Sequence, residues 1–214
     1  MPLYLTKDEN PQFRLGIWRM DENADELLQQ GVLSGADIQK VNSFQSIARR
    51  KEWICTRLLL KQLIPEKPLS IIYDFNGKPH LENLSSGKQV LEHISVSHTK
   101  NFVGIIISEN NVVGIDVELV NPRIEKIVHR FLSDEESTFI PSANALQYYF
   151  AIWGAKESLY KMYGQRELIF KENLFVNPFQ LASKGTLKAG IIKGNSVKEY
   201  SLNYEFMGDL LLVY

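Results

Sequence analysis

The first half of the chain moves from strand-like to helix-like spacing of its apolar residues and back again. Short apolar runs predict strands at Leu3–Thr6 and Phe13–Met20, and longer runs with a helical period predict helices at Asp21–Gln30 and Ser34–Ile64. The second helical stretch is expected in two pieces, and Pro65 ends it. Further strands are predicted at Leu69–Phe75, His80–Glu82, His93–Ser97 and Phe102–Ser108.

The long predicted helix of the first half has an apolar and a basic side. Its apolar face includes Ile47, Ile54 and Leu58, which is typical of a helix packed on a core. Its polar side carries Arg49, Arg50, Lys51, Arg57 and Lys61. A solvated helix face is the ordinary explanation of such a cluster. A phosphate site is the alternative, because the arginine fork matches phosphate oxygens.

The pattern of elements starts again after the turn Glu109-Asn110-Asn111. We predict an α+β fold of two similar lobes, residues 1–110 and 111–214, each with an antiparallel sheet, a long helix and a share of a ligand cleft between them. The elements predicted in the second lobe are a strand at Val112–Leu119, helices at Ile124–Arg130, Asp134–Phe139 and Ala143–Tyr163, and strands at Leu187–Lys193, Lys198–Phe206 and Asp209–Tyr214.

Two acids interrupt the apolar strand at the start of the second lobe. Asp116 and Glu118 are two residues apart, so both carboxylates point to one face of the strand. Further along, Glu157 and Lys161 share a helix face at four-residue spacing, with Lys156 on a neighbouring row. Three carboxylates beside lysines predict a divalent metal that holds a phosphate. Structural ion pairs between these acids and lysines are the alternative.

Two single residues in the first lobe are further candidates for binding. His98 follows a strand within Ser95-Val96-Ser97-His98-Thr99, where loops often carry binding groups. Lys78 is presented by the tight turn Gly77-Lys78-Pro79. Taken alone, His98 is more simply explained as a structural histidine, and Lys78 as a solvated hairpin lysine.

The composition excludes several classes of function. The chain has 214 residues and a net charge of −1, so it lacks the basic field expected of a nucleic-acid-binding protein. Cys55 is its one cysteine, which rules out an internal disulfide and fits a reducing compartment. The start of the sequence shows no signal peptide, and no apolar run reaches the length of a membrane helix. We therefore expect a cytoplasmic protein without nucleic-acid or membrane partners.

The order of the motifs resembles one known family. Gly77-Lys78-Pro79, Ser95-Val96-Ser97-His98, Gly114-Ile115-Asp116-Val117-Glu118, Arg130-Phe131-Leu132-Ser133 and Trp153-x-x-Lys156-Glu157-Ser158-x-x-Lys161 follow one another as in the surfactin-type 4′-phosphopantetheinyl transferases. The resemblance implies a pseudo-dimeric α+β fold. It also implies transfer of the phosphopantetheine arm of coenzyme A to a serine of an acyl or peptidyl carrier protein, with release of adenosine 3′,5′-bisphosphate.

The resemblance also assigns roles to the acids and the catalytic lysine. It implies that Asp116, Glu118 and Glu157 bind Mg²⁺ and that Lys161 lies near the transferred phosphate. Glu157 is the expected general base, directly or through a metal-bound water, with Glu118 as the alternative. Lys156 is expected among the residues that bind the cofactor.

The nucleotide end of coenzyme A is assigned to the first lobe. The resemblance implies that His98 contacts a phosphate of coenzyme A and that Lys78 lies at the adenine end. Arg50, Lys51 and Arg57 are alternatives for a basic residue on the long helix that meets the nucleotide phosphates.

Several functional questions are left open by the sequence. A Mg²⁺-dependent phosphoesterase acting on coenzyme A or a nucleotide would use the same acids, and a non-catalytic coenzyme A binding protein is a third possibility. We expect a monomer, and we expect the carrier to dock on residues 121–136. Ser158 and Thr99 stand where the family more often has alanine and serine, and neither change removes a predicted ligand.

Overall fold

The structure is a computed structural model that describes residues 3–9, 12–29 and 33–214. The chain separates into two compact units, residues 1–113 and 114–214. Both contain helices and antiparallel sheets, which confirms the predicted α+β class, while the pseudo-dimeric relation stays a prediction. In the described part of the chain, every helix is too short or too polar to cross a membrane.

In the described residues of the N-terminal unit there are two antiparallel sheets and three helices. The larger sheet has the strand order β1-β2-β7-β6, and the smaller has the order β3-β4-β5. The strands are β1 (Leu3–Glu9), β2 (Phe13–Arg19), β3 (Leu69–Tyr73), β4 (Pro79–Asn83), β5 (Lys88–Gln89), β6 (His93–Thr99) and β7 (Phe102–Ser108), and the helices are α1 (Ala24–Leu28), α2 (Gly35–Ser43) and α3 (Ile47–Leu63).

Polar side chains fix where the helices of this unit begin. Asn23 closes a capping box on α1, so this helix starts later than predicted, and the predicted end at Gln30 lies outside the described residues. Ser46 accepts from the backbone N–H of Arg49 at the start of α3, which confirms the predicted break in the long helix. Ile54 and Leu58 are buried, as expected for its apolar face.

Ile47 departs from that expectation. Its side chain is 68% exposed, although it has the helical spacing of the core residues. Ile47 is the first residue of α3, and the buried stretch of this helix begins only at Ile54. The apolar face predicted from spacing is therefore longer than the face that the core covers.

The C-terminal unit has one five-stranded antiparallel sheet with helices packed on it. The strand order is β8-β12-β11-β10-β9. The strands are β8 (Asp116–Leu119), β9 (Leu174–Val176), β10 (Lys184–Lys193), β11 (Ser196–Met207) and β12 (Leu210–Val213), and the helices are α4 (Val128–Phe131), α5 (Asp134–Ser137), α6 (Ala145–Tyr163) and α7 (Phe170–Asn173). Short 3₁₀ helices precede α4 and α6 at Pro122–Ile127 and Ser142–Asn144.

Two glycines let α6 pack closely against β12, β8 and the segment that precedes β8. A Cβ atom on Gly114 would come within 2.0 Å of the backbone oxygen of Ser158 on α6. A Cβ atom on Gly154 would come within 2.8 Å of Val213 Cγ2 and 3.4 Å of Asp116 Oδ2. Such distances leave no room for a side chain. Ser158 adds a hydrogen bond from its Oγ to Val213 O, 3.1 Å away, so the serine found here in place of alanine has a structural partner.

The predicted strand Val112–Leu119 is shorter in the structure. Only its second half forms β8, which pairs with β12 so that Asp116 lies opposite Val213 and Glu118 opposite Leu211. Residues 112–115 precede β8 and belong to no strand or helix. The two acids therefore lie on the part of the segment that the sheet holds in place.

Candidate functional site

Asp116 and Lys161 form the centre of the candidate site in the C-terminal unit. Lys161 Nζ lies 2.7 Å from Asp116 Oδ1 and 3.1 Å from Ile115 O. The Asp116 side chain is 4% exposed and the Lys161 side chain 26% exposed, so the pair is shielded from water on the aspartate side. A buried carboxylate of this kind is stable only beside a positive charge or strong donors.

Glu157 lies close enough to the other acids to be affected by their charge. Burial, then the charge of Asp116 and to a smaller extent that of Glu118, raises the pKa of Glu157 to about 7, and Lys161 opposes this rise. The ordinary value is 4.5. The structure thus brings the three predicted acids and the predicted lysine into one electrostatic neighbourhood, on β8 and α6.

Trp153 joins the helix to the second acid of the strand. Its indole Nε1 donates to Glu118 Oε1 at 3.2 Å, and its ring packs against Phe131 and Phe170 at centroid distances of 5.2 and 5.3 Å. No functional role was predicted for Trp153 from the sequence. Its four-residue spacing from Glu157 was the signal that it faces the same acids.

Lys156 points away from this neighbourhood and is completely buried. Its ammonium group donates to Glu136 Oε2 at 2.8 Å, Phe131 O at 2.6 Å and Phe170 O at 3.2 Å. Glu136 in turn accepts from the backbone N–H groups of Ser133 and Val176. An ammonium group has three N–H bonds, and all three are used here. We therefore do not retain Lys156 among the residues proposed to bind the cofactor.

The three acids have the donor atoms that a divalent metal site needs. Carboxylate oxygens are the donors that Mg²⁺ prefers, so the chemistry of Asp116, Glu118 and Glu157 fits that ion. However, residues 3–9, 12–29 and 33–214 contain no group of three or more acidic, histidine or cysteine side chains arranged to hold a metal as they stand. In this arrangement one oxygen of Asp116 accepts from Lys161 and one oxygen of Glu118 accepts from Trp153.

The N-terminal unit has its own candidate site, a cavity of about 430 Å³ beside α3. This is within the usual size range of small-molecule sites. The cavity is lined by Arg49, Glu52, Trp53, Tyr73 and His98, together with Lys40, Thr56, Gly77, Pro79 and Val96. It therefore combines aromatic walls with charged groups.

Arg49, Glu52 and His98 form a small polar network on this cavity. Arg49 Nη1 lies 2.8 Å from Glu52 Oε2 and 3.2 Å from His98 Nε2. Because an arginine N–H can only donate, Nε2 of His98 accepts, and the proton of a neutral ring is on Nδ1, which faces Glu52 Oε1 at 3.8 Å. Arg49 was not among the preferred candidates of the sequence analysis. Its four-residue spacing from Trp53 was the available signal.

The three basic residues predicted to compete for the nucleotide phosphates have other contacts. Arg50 Nε donates to Phe44 O at 2.9 Å, and Lys51 Nζ donates to Met20 O. Arg57 is buried, donates to Asp37 Oδ1 at 2.8 Å and stacks on Trp53 at 3.5 Å from the ring centroid. None of the three lines the cavity that contains His98.

Lys78 lies in a turn held by Asp74. Asp74 Oδ1 accepts from the backbone N–H groups of Asn76 and Lys78, each at 2.9 Å, and Oδ2 lies 3.2 Å from His80 Nε2. Burial lowers the pKa of Lys78. Lys78 lines a second cavity of about 320 Å³, Gly77 lines the cavity of His98, and Pro79 lines both. The turn therefore borders both cavities.

Comparison with known proteins bears directly on the C-terminal acids. Residues 112–205 match the family model of the 4′-phosphopantetheinyl transferase superfamily. The predicted resemblance to these transferases is confirmed. The match contains Asp116, Glu118, Glu157 and Lys161. It begins after the residues that line the cavity of the N-terminal unit and includes none of them.

Curated relatives of this superfamily point the same way at modest identity. The chain is 26% identical over 121 residues to the 4′-phosphopantetheinyl transferase AcpT of Escherichia coli (strain K12), an alignment that covers 54% of this chain and 59% of the relative. The AcpT protein of Salmonella typhi is also 26% identical over 121 residues, covering 54% of this chain and 60% of the relative. The chain thus spans about three fifths of the length of the relatives it matches.

Proposed function

We propose that this protein transfers the 4′-phosphopantetheine arm of coenzyme A to a serine of an apo carrier protein, with Mg²⁺ as cofactor and adenosine 3′,5′-bisphosphate as the second product. The observation that carries the proposal is the convergence of Asp116, Glu118 and Glu157 with Lys161, within the residues that match the transferase superfamily. A cytoplasmic, monomeric enzyme is part of the same proposal.

The carboxylates would hold the metal, and the chemistry of the transfer follows from their neighbours. Bound Mg²⁺ would draw charge from the diphosphate of coenzyme A. Asp116 and Glu118 lie on a paired strand, and Glu157 lies on a helix packed against it, so the oxygen donors are held by rigid elements. Lys161 would stabilise negative charge on the phosphoryl oxygens during transfer, where most of the stabilisation in such reactions arises.

Glu157 is the proposed general base for the carrier serine. A base works best when its pKa is near the working pH, and burial beside like charges raises the pKa of Glu157 to about 7 in the protein without metal. Glu118 is the alternative, because its carboxylate is oriented by the indole of Trp153. In either case the serine is a weak nucleophile, so its in-line position should contribute much of the rate.

The cavity of the N-terminal unit is the proposed site for the nucleotide end of coenzyme A. Arg49 and His98 are proposed to bind phosphate oxygens there, because an arginine fork suits phosphate and the two groups already contact each other. Trp53 and Tyr73 supply aromatic surface on the same cavity. Lys78, in the neighbouring turn, is proposed to lie at the adenine end of coenzyme A.

The proposal is tested by incubating an apo acyl carrier protein with coenzyme A, Mg²⁺ and the protein, and weighing the carrier by mass spectrometry. We expect the carrier to gain one phosphopantetheine group, and we expect Asp116→Ala to abolish the gain. Glu172→Gln, a substitution of an exposed acid in the same unit, serves as the control and should transfer normally. An unmodified carrier, or full transfer by Asp116→Ala, would contradict the proposal.

The same experiment separates the two alternatives. A phosphoesterase would release adenosine 3′,5′-bisphosphate from coenzyme A and Mg²⁺ without any carrier present. A non-catalytic binding protein would retain coenzyme A but release no product. We expect neither result, because we propose that the carrier serine is the acceptor.

A further inference from the structure

Lys161 is already paired with the acid that is proposed to bind a metal ion. Its ammonium group lies 2.7 Å from Asp116 Oδ1, and the carbonyl of Ile115 accepts from the same ammonium at 3.1 Å. The Asp116 side chain is 4% exposed, so this contact is made largely out of water. In such surroundings a neighbouring positive charge stabilises a carboxylate far more than it would at an exposed position.

The surrounding charges explain why a lysine would be held there. Asp116, Glu118 and Glu157 are three carboxylates of one site, so their surroundings are strongly negative when all are ionised. Lys161 offsets part of this charge through its contact with Asp116. Within the described residues no ready-made metal site is present, although the donors have the chemistry for one.

We propose that Lys161 is the resident counter-ion of this acid cluster and competes with a divalent cation for Asp116. The ammonium group and the cation would neutralise the same buried carboxylate. Binding of the cation therefore moves the Lys161 ammonium away from Asp116. This inference rests on the proposed function, in which Asp116 is a metal ligand.

The competition links two events in the proposed reaction. Without the metal, the charge of Lys161 is used to stabilise Asp116, and the lysine is not available to a phosphate. With the acids neutralised by a cation, the Lys161 ammonium would be free to contact a phosphate of coenzyme A. Lys161 is thus a positioning residue as well as a proposed catalytic one.

The test measures Mn²⁺ binding to the full-length protein without coenzyme A. Mn²⁺ prefers oxygen ligands as Mg²⁺ does, and the unbound ion is counted by electron paramagnetic resonance. Lys161→Gln removes the competing charge, and Lys161→Arg keeps it. Lys188→Gln removes an exposed lysine of the same unit, paired with Glu199, and is the matched control for net charge.

We expect Lys161→Gln to bind Mn²⁺ at least about tenfold more tightly than the parent protein, since a unit positive charge near a divalent ion weakens its binding. Lys161→Arg and Lys188→Gln should bind within about twofold of the parent. Unchanged or weaker binding by Lys161→Gln overturns the inference. Should that variant fail to fold, tighter binding by Lys161→Arg overturns it instead.

A second measurement distinguishes this inference from the proposed function. Mn²⁺ should raise the melting temperature of Lys161→Gln more than that of the parent, because the cation replaces a lost counter-charge. Suppose that the parent transfers phosphopantetheine and binds Mn²⁺, but Mn²⁺ raises the melting temperature of Lys161→Gln no more than that of the parent. The inference then fails and the proposed function stands. If the parent binds Mn²⁺ but modifies no carrier, the proposed transfer fails while the competition is still measured.

Discussion

The pKa of Glu157 gives a prediction that does not depend on any substrate. Glu157→Gln replaces the carboxyl by a neutral group of the same shape, so it removes the charge without opening a cavity. Burial and the charge of Asp116 raise the pKa of Glu157 from its ordinary 4.5 to about 7. The parent protein must therefore tolerate a carboxylate above pH 7 that its surroundings disfavour, and the variant need not.

The direction and the size of the stability difference follow from the linkage between protonation and folding. Below pH 4.5 the carboxyl is protonated in both folded and unfolded chains, and it contributes no difference. Between pH 4.5 and about 7 the unfolded chain loses the proton while the folded chain keeps it, so the parent loses stability as the pH rises. One pKa unit is equivalent to about 1.36 kcal/mol. Glu157→Gln should therefore be more stable than the parent by up to about 3 kcal/mol at pH 8, and by almost nothing at pH 4.5.

The assay is urea unfolding in the presence of a chelator at several pH values from 4.5 to 8. Glu172→Gln, at an exposed position of the same unit, is the control and should show no such pH-dependent gain. Carbon NMR of the glutamate carboxyl groups gives the pKa directly, and the resonance that titrates near 7 should be missing from Glu157→Gln. A parent spectrum in which all glutamates titrate below pH 5 would refute the reasoning.

Three further predictions follow from contacts in the two units. Trp153→Phe keeps the aromatic packing but removes the N–H that orients Glu118, and it should weaken Mn²⁺ binding about threefold to tenfold, as loss of a hydrogen bond worth about 1 kcal/mol implies; unchanged affinity in a calorimetric titration would contradict this role. Lys156→Met leaves a buried carboxylate without its cation, so it should destabilise the protein by about 3–5 kcal/mol, and a melting temperature equal to that of the parent would show that the buried pair is not structural. Arg49→Gln removes a donor to His98 and should weaken adenosine 3′,5′-bisphosphate binding about tenfold or more; Arg50→Gln is the matched control, and equal effects of the two substitutions would remove Arg49 from the proposed site.

Part of the C-terminal site could be predicted from the sequence because periodicity determines which residues of one element share a face. The spacing placed Asp116 and Glu118 on one face of a strand and Glu157 and Lys161 on one face of a helix, and the resemblance in motif order placed the two elements in one site. The direction of Lys156 was not predictable in this way. It depends on Glu136, which lies 20 residues away in the chain and is brought under α6 by tertiary packing.

The N-terminal site shows the opposite case. Several basic residues follow one another on α3, and each is one step of about 100° around the helix from the next. Which of them meets the cavity depends on how the helix is rotated against the sheet, and Arg49 has that position. The neighbouring Arg57 is instead buried against Asp37 and Trp53. Local composition predicted a basic helix, but not which of its basic residues lines the cavity.

The close approach at Gly114 limits how far the candidate site of the C-terminal unit can vary. A single added methyl group at position 114 would collide with main-chain atoms, which cannot rotate aside as a side chain can. Relief would require the whole helix to shift, and the groups it carries would shift with it. A displacement of about 1 Å is enough to cost roughly a hundredfold in rate. Neutral drift and laboratory evolution should therefore find position 114 closed to any side chain, while the surrounding surface stays open to change.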